Sequence, residues 1–550
     1  MSSSRVLTFS GRAIFIQLVF VLGFILLISR LIYLQIYQDT FLDKKVIKRS
    51  HAEYSLLASR GKIFDRNENI LAFDVKSYSL GVDIKKLSSN LNKIPLLAES
   101  INKSEKYITD LVLTRKKGYR ELQRHVDIVA KKAIENQDIN GVYFSQNLRR
   151  SYPQKEVSSH VVGITDIDRN GLQGTEYVFN KHLSGTKGKF IGIKGSGNRK
   201  IDGKRTDARS GKDIHLTIDI RLQTIAFEAL RRSVIENNAS SGSIIITDPN
   251  NSQILALVNY PSFDPSDRNN IRPSVLRNRA TIDVFEPGSV LKPIAMAAII
   301  DSKKVDKGTL IDTSPGWIEL AGYKTRDFKN YGLLSLSNII SNSSNVGMVK
   351  LCLDQDTPYL TSYYKNFGIG QHPSNIIIPS REGFLMNHTE FTVRDKVSSC
   401  YGYGLSMSAL QIAQAYSVFA NKGIYKELSL FLDEDFSSSI IERRVLSAET
   451  TNKIREMLIE TVSSKNGTAK NAQIAGTEVA GKTGTAINTS ESENSYTVTF
   501  AGFAPAKDPH LLSVVVLHGL RGDNKSGGQI AAPIFSDVIS QSLHVLEAGI

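Results

Sequence analysis

The stretch FEPGSVLKPIAMAA (285–298) sets Ser289 and Lys292 three residues apart at the mouth of an apolar run. A serine at a helix start ordinarily bonds the orphan N–H groups of the first turn, so Ser289 alone is commonplace. Lys292 is not. Residues three apart share a helical face, so its amine is expected over Ser289, while Ile294, Ala295, Ala297, Ala298 and Ile299 point to burial. A cation beside the positive end of a helix dipole is disfavoured, which makes the neutral amine more accessible. A neutral amine beside a hydroxyl is a base beside a nucleophile.

Two more motifs follow. Ser343-Ser344-Asn345 lies in LSNIISNSSNVGMVKL, which reads as helix, and Lys482-Thr483-Gly484 lies in VAGKTGTAI, which reads as strand. Each pattern alone is weak. Ser59-Arg-Gly-Lys62 repeats the first inside a turn-rich basic stretch, and Ser88-Ser89-Asn90 repeats the second. Order and setting supply the specificity, since the three motifs fall in sequence within one region, each on its own kind of element. Other tempting residues carry less. His215, His372 and His388 lack metal-ligand spacing, so no metal and no cofactor is implied. Tyr401 and Tyr403, in CYGYGLSMS, are expected on a loop walling the site, and Pro287 and Gly288 are expected to direct Glu286 away from it.

The elements that must hold these residues are legible in outline. Asp219 is a plausible N-cap for a helix carrying Leu222, Ile225, Ala229, Leu230 and Val234 on one side. GSIIITDP and QILALVNYP read as two strands joined by a short turn, and VAGKTGTAI, YTVTFAGF and HLLSVVVLHG as three more, before a terminal helix near 529–546. Short loops between successive strands imply antiparallel neighbours. The expected fold is therefore α+β: an antiparallel five-stranded sheet flanked by helices, behind an elongated mixed N-terminal domain and one transmembrane helix. In that N-terminal domain Ser77–Asp83 and Gly141–Leu148 read as strands, and Ser104 as the cap of a helix with Tyr107, Ile108, Leu111 and Val112 on one side. Expected boundaries are 1–37 for a cytoplasmic tail and signal anchor, 38–205 for the N-terminal pedestal, and 206–550 for the catalytic domain.

The chain has 550 residues, 41% apolar and 22% charged, with net charge +14. That charge first suggests nucleic acid, but no nucleic-acid-binding motif is present, and anionic lipid or an anionic polymer accounts for it equally. Cys352 and Cys400 are expected as buried thiols ahead of a single bridge. AIFIQLVFVLGFILLIS (13–29) with the apolar continuation LIYLQIY is long enough to span a bilayer, and no small-residue cleavage site follows. Flanking positive charges favour the opposite orientation, but large domains translocate largely regardless of charge, so the remaining chain is expected outside the cytoplasm.

The three motifs together resemble those of the penicillin-recognising serine acyltransferases. Within that group the chain is most similar to class B penicillin-binding proteins. Their Arg-Gly-x-Ile-x-Asp-Arg-Asn segment is matched by Arg60, Gly61, Ile63, Asp65, Arg66 and Asn67, and a Gly-rich segment by Gly171–Glu176. NRATIDVFEPGSVLKP (278–293) resembles the FtsI-type septal enzymes more than their cell-elongation relatives. The resemblance implies a D,D-transpeptidase of peptidoglycan with Ser289 as nucleophile, Lys292 as base, Ser343 as proton relay, Asn345 orienting the substrate amide and Lys482 as the nearby cation. It also implies that Lys482, Thr483 and Thr485 hold a terminal carboxylate, that Gly484 leaves room for substrate, and that the N–H groups of Ser289 and Thr485 form an oxyanion hole. Implied partners are D-Ala-D-Ala stem peptides, β-lactams, the membrane, a polytopic glycan polymerase and other division proteins. Two departures stand out: Val290 where Thr is common, and Glu68 where a turn glycine is usual. A β-lactamase would need a water-activating group, for which only Glu382 and Glu390 offer themselves, in no recognisable setting. A non-catalytic scaffold or penicillin sensor would have no need of Lys292 and Lys482 beside Ser289.

Overall fold

The computed structural model describes residues 10–37, 51–115, 117–194, 200–306, 308–373, 378–432, 441–488, 495–522 and 525–549. The chain clusters into two compact units, one of 1–59 with 185–210 and one of 60–184 with 211–550. The smaller unit holds a helix, Ser10–Ile32, continued by one π turn, and a three-stranded antiparallel sheet of His51–Leu56, Gly188–Lys194 and Lys200–Thr206. The segment Gly11–Gln35 has mean hydropathy 2.5 and the length to cross a membrane.

The larger unit is built on a five-stranded antiparallel sheet. Its order is Gln253–Tyr260, Ser241–Asp248, Leu511–Leu520, Ser495–Ala504 and Ala480–Asn488. The strands expected from sequence recur within one or two residues. Side chains alternate between two cores, as the period of a strand requires. Ile244, Ile246 and Val515 join Phe227, Leu230, Phe535 and Val538 from the Ile220–Glu236 and Ala531–Glu547 helices. Ile245, Val514 and Val516 join Ile294, Met296 and Ile299 on the other face. The sheet is thus covered on both sides, which is why its central strands read as continuous apolar runs rather than alternating ones. Asp219 caps the Ile220–Glu236 helix as expected, its carboxylate accepting the Arg221 N–H. The Ala480–Asn488 strand lies at one edge of the sheet, with a single paired neighbour among the described residues.

Residues 60–184 form the mixed pedestal part of the same unit. The long strand Ile70–Asp83 pairs with Val142–Ser151 and Tyr119–Val126, and short helices close over Leu80, Val82, Ile108 and Ile134. The helix after Ser104 buries Ile108 and Val112, but Tyr107 is exposed and the Ser104 hydroxyl makes no cap bond, which narrows the expected face. The turn-rich segment Arg60–Ala72 is held by Asp65, whose carboxylate accepts the N–H groups of Asn67 and Asn69. Glu68 sits in that turn at φ 63, the conformation that favours glycine, so the turn keeps its shape at a local cost.

Cys352 and Cys400 form a disulfide with Cα atoms 6.5 Å apart. This corrects the expectation of free thiols. Sequence separation carries no information on pairing here, because the ends of the Asn345–Leu353 and Val393–Ser399 helices bring the two residues together.

A buried ionic network joins the two pedestal motifs. Glu176 is completely buried and accepts from Arg60 Nε at 2.5 Å and Arg150 Nε at 2.6 Å. Arg60 also donates to Asn180 Oδ1, Ser184 Oγ and the Glu176 carbonyl. Asp74 accepts from Arg169 at 2.6 Å. Removing one member leaves the others charged and dry. Glu176→Ala is therefore expected to cost about 3–5 kcal/mol of stability, measured by chemical denaturation; a loss below about 1 kcal/mol would contradict this account.

Candidate active site

Ser289 lies in a 3-10 turn, Gly288–Leu291, and the α-helix proper runs from Lys292 to Asp301. The expected helix start is displaced by three residues. Pro293 explains it, since proline is favoured in a first turn, where its missing N–H removes no helical bond. Ser289 caps neither segment, so its half-buried hydroxyl is left available.

Lys292 is 0% exposed, which disposes of a snorkelling surface role. Its Nζ lies 2.5 Å from the Ser343 carbonyl oxygen, 2.7 Å from Asn345 Oδ1 and 3.2 Å from Ser343 Oγ. Lys482, also 0% exposed, places its Nζ 3.0 Å from the same Ser343 Oγ. Ser343 therefore bridges two buried amines. The structure brings Lys292, Ser343, Asn345 and Lys482 into one hydrogen-bonded cluster, with Ser289 one turn before Lys292.

The Ser343-Ser344-Asn345 motif is not inside one helix as its composition suggests. Leu336–Ser341 ends, and a second helix begins at Asn345. Ser343 occupies the break at φ 59, which turns its hydroxyl toward the amines, and Ser344 caps the second helix through the Gly347 N–H. Asp327 fixes this break. Its carboxylate accepts the Asn345 N–H at 2.5 Å, the Val346 N–H at 3.0 Å and the Ser344 hydroxyl at 2.6 Å. No sequence signal marked Asp327, which sits in a polar run 17 positions before Ser344.

Strand Ala480–Asn488 presses its edge on the serine turn. A Cβ on Gly484 would fall 2.9 Å from the Pro287 carbonyl oxygen and 3.1 Å from Val290 Cγ1, so only glycine permits this approach. The Thr485 peptide lies against Gly288. Thr483 Oγ1 donates to Thr468 Oγ1 at 3.1 Å, and Thr485 Oγ1 accepts the Gly527 N–H. On the opposite side the Gly288 N–H donates to the Gly402 carbonyl at 3.0 Å. Tyr401 is buried against Val349 and Val397, and Tyr403 packs on it. Glu286 accepts the Gly404 N–H at 2.9 Å and so ties this loop down. Glu382 and Glu390 are exposed.

Burial pushes the Lys292 pKa well below the lysine range, with the Lys482 charge adding to the shift and Asp327 opposing it. Burial likewise pushes Lys482 down to about 7. The cluster is thus suited to hold a neutral amine beside a serine, and to pass a proton through Ser343.

Comparison with known proteins bears directly on this arrangement. The penicillin binding protein transpeptidase domain family matches residues 242–540, and the penicillin-binding protein dimerisation domain family matches 55–216. The chain belongs to the class B penicillin-binding proteins. It is 33% identical over 543 residues to a probable peptidoglycan D,D-transpeptidase, PbpC, of Pseudomonas aeruginosa, covering 97% of this chain and 95% of the other. It is 29% identical to the peptidoglycan D,D-transpeptidase FtsI of Escherichia coli K12, covering 94% and 89%. The solved transpeptidase domain of Burkholderia pseudomallei penicillin-binding protein 3 superposes with TM-score 0.54 at 30% identity, over 60% of this chain and 96% of that one. In this penicillin-binding protein the expected fold class and family are both observed.

Two measurements test the electrostatics. Asp327→Asn removes the charge that favours protonated Lys292, so the acid limb of Ser289 acylation is expected to move to lower pH, with a stability loss of about 1–2 kcal/mol from the weakened cap. An unmoved limb contradicts the assignment. Secondly, the unfolded chain keeps both amines protonated up to about pH 10. Between about pH 7 and 10 it holds the Lys482 proton that the folded chain has lost, so Lys482 makes stability rise with pH in that window, and its penalty is full below it. Lys482→Met is expected to reduce that slope by about 1.4 kcal/mol per pH unit in denaturation measured across the window.

Proposed function

We propose that the chain is a membrane-anchored serine D,D-transpeptidase that cross-links peptidoglycan stem peptides during septum synthesis, and that β-lactams acylate it at Ser289. The observation that carries this reading is the pair of buried amines meeting at Ser343 Oγ, one turn from Ser289. The named relatives and the resemblance around 278–293 support the substrate and the septal setting.

Ser289 Oγ attacks the carbonyl carbon between two D-alanines as neutral Lys292 takes its proton. The oxyanion forms against the N–H groups of Ser289 and Thr485, a reading supported by the close approach of the strand to the serine turn. Asn345 orients the substrate amide while its Oδ1 steadies Lys292. The C–N bond then breaks, and the Lys292 proton passes through Ser343 Oγ to the leaving D-alanine nitrogen. Lys482, Thr483 and Thr485 grip the terminal carboxylate. The resulting ester is attacked by an amine of a neighbouring stem peptide. A new amide forms, the ester C–O bond breaks, and the amine proton returns along the same relay to Ser289.

The Gly11–Gln35 helix supports a single-pass anchor in the cytoplasmic membrane, with the catalytic domain on the peptidoglycan side. The disulfide agrees with that side being oxidising. The pedestal is the surface offered to a polytopic glycan polymerase and other division proteins.

Mass spectrometry after treatment with a fluorescent penicillin is expected to find one adduct, on Ser289, stable over the assay. Ser289→Ala abolishes it, and Lys292→Ala lowers acylation by roughly a hundredfold or more. An adduct elsewhere, or rapid penicillin turnover, would sink the reading. Depletion in the host is expected to give filaments; rounded cells would indicate a lateral-wall role instead.

A further inference from the structure

A cavity of about 380 Å³ opens beside the Ser343 turn, and nothing in the acylation chemistry uses it. Its wall includes Lys329, Tyr331, Asn338, Asn342, Lys465 and Asn466, a polar and net cationic set. Glu460 is the single acid in the wall, and the Ser337 hydroxyl already donates to it. Neither Lys329 nor Lys465 is ion-paired with a carboxylate among the described residues. Lys329 lies instead over the Tyr331 ring, 5.4 Å from its centroid.

Three chain segments place this cavity on one particular side of the site. Ser341 and Asn342 line it and directly precede Ser343. Lys329–Tyr331 follow Asp327, which clamps the Ser343–Asn345 break. Ser464–Asn466 lead to Thr468, whose N–H donates to the Ser341 carbonyl and whose hydroxyl accepts from Thr483. The cavity therefore abuts the region bounded by Ser343 and Thr483, where the terminal D-alanine of the donor would sit and leave. Acyl transfer to an amine is the reverse of loss of an amine, so the incoming amine enters from the side the leaving one vacates. A cross-linking enzyme needs room there for the rest of that second peptide.

We propose that this cavity is the subsite for the amine-bearing acceptor peptide, and that Lys329 and Lys465 recognise its carboxylates. The inference rests on the transpeptidase reading. The amine reaches the Ser289 ester with its peptide chain lying in the cavity. The two ammonium groups attract the anionic chain and fix its register, while the asparagines and Tyr331 serve its amides. Carboxylate recognition by exposed ammonium groups is screened by salt, so the contribution is to acceptor binding rather than to the chemical step.

The test uses the full-length protein in detergent with a D-Ala-D-Ala-terminated donor peptide. Two acceptors are compared: free D-alanine, which fits the vacated leaving-group position alone, and an amine-bearing tripeptide with two free carboxylates. Lys329→Glu/Lys465→Glu is expected to raise the KM for the tripeptide about tenfold or more, and to leave the KM for D-alanine and the penicillin acylation rate within about twofold. Lys329→Arg/Lys465→Arg is expected to retain the tripeptide KM. An unchanged tripeptide KM in the Glu variant, or equal losses for both acceptors, overturns the proposal. Failure of the wild-type protein to be acylated would instead overturn the transpeptidase reading, and the two failures are read from separate assays.

Discussion

The structure depends on the burial of one amine, that of Lys292. A neutral lysine has two N–H bonds and one lone pair. The Ser343 carbonyl at 2.5 Å and Asn345 Oδ1 at 2.7 Å are acceptors only, so they take both N–H bonds. The lone pair is then left for a hydroxyl, which is what a general base requires. A protonated Lys292 would direct its third N–H at Ser343 Oγ, 3.2 Å away, and hold its charge in a dry site beside Lys482, whose Nζ meets the same oxygen. Burial and the neighbouring Lys482 charge favour the neutral form. Only Asp327 pulls the other way, and its oxygens are occupied by two backbone N–H groups and the Ser344 hydroxyl.

Holding that amine takes most of the second unit. The Lys292–Asp301 helix is buried from Lys292 to Ile299, packed between the sheet and neighbouring helices, so Lys292 cannot swing out to water. The edge strand closes one side through Gly484, and the Gly402 carbonyl closes the other through Gly288. The disulfide then ties the helix that starts at Asn345 to the residue preceding Tyr401. The Gly402 wall of the serine turn is in this way attached to the element carrying Asn345. Because a displacement of about 1 Å can cost a hundredfold in rate, such cross-bracing bears on chemistry as well as stability.

What sequence reveals and conceals follows from the range of each interaction. Strand positions were legible because short β-branched apolar runs bounded by turn residues are local signals. Ser289, Lys292 and Lys482 were legible because each motif is short and sits on a recognisable element. Asp327 was not, since an acid in a polar loop looks solvated until the fold places it under a helix terminus. The break at Ser343 was hidden because Asn342, Ser343 and Ser344 interrupt an otherwise apolar helical pattern for too few residues. Ser344 as an N-cap was the available clue. The Cys352–Cys400 pairing and the Glu176–Arg60 contact, 116 residues apart, depend on tertiary placement alone.

The same electrostatics bear on why an acyl ester formed here would await an amine rather than water. Hydrolysis needs a base free to deprotonate water on the ester's open face. Glu382 and Glu390, the acids that sequence offers for that task, are exposed. Asp327, the acid whose charge reaches Lys292, is spent as a helix cap, its oxygens taken by two backbone N–H groups and the Ser344 hydroxyl. A water arriving alone must therefore part with its proton through the same relay that an amine uses, but without the binding contacts a peptide brings. An amine is also the better nucleophile and, held against the ester, gains the advantage of proximity. The preference for transfer over hydrolysis then needs no residue dedicated to excluding water. It follows from Asp327 being committed to the helix terminus while Glu382 and Glu390 stand exposed.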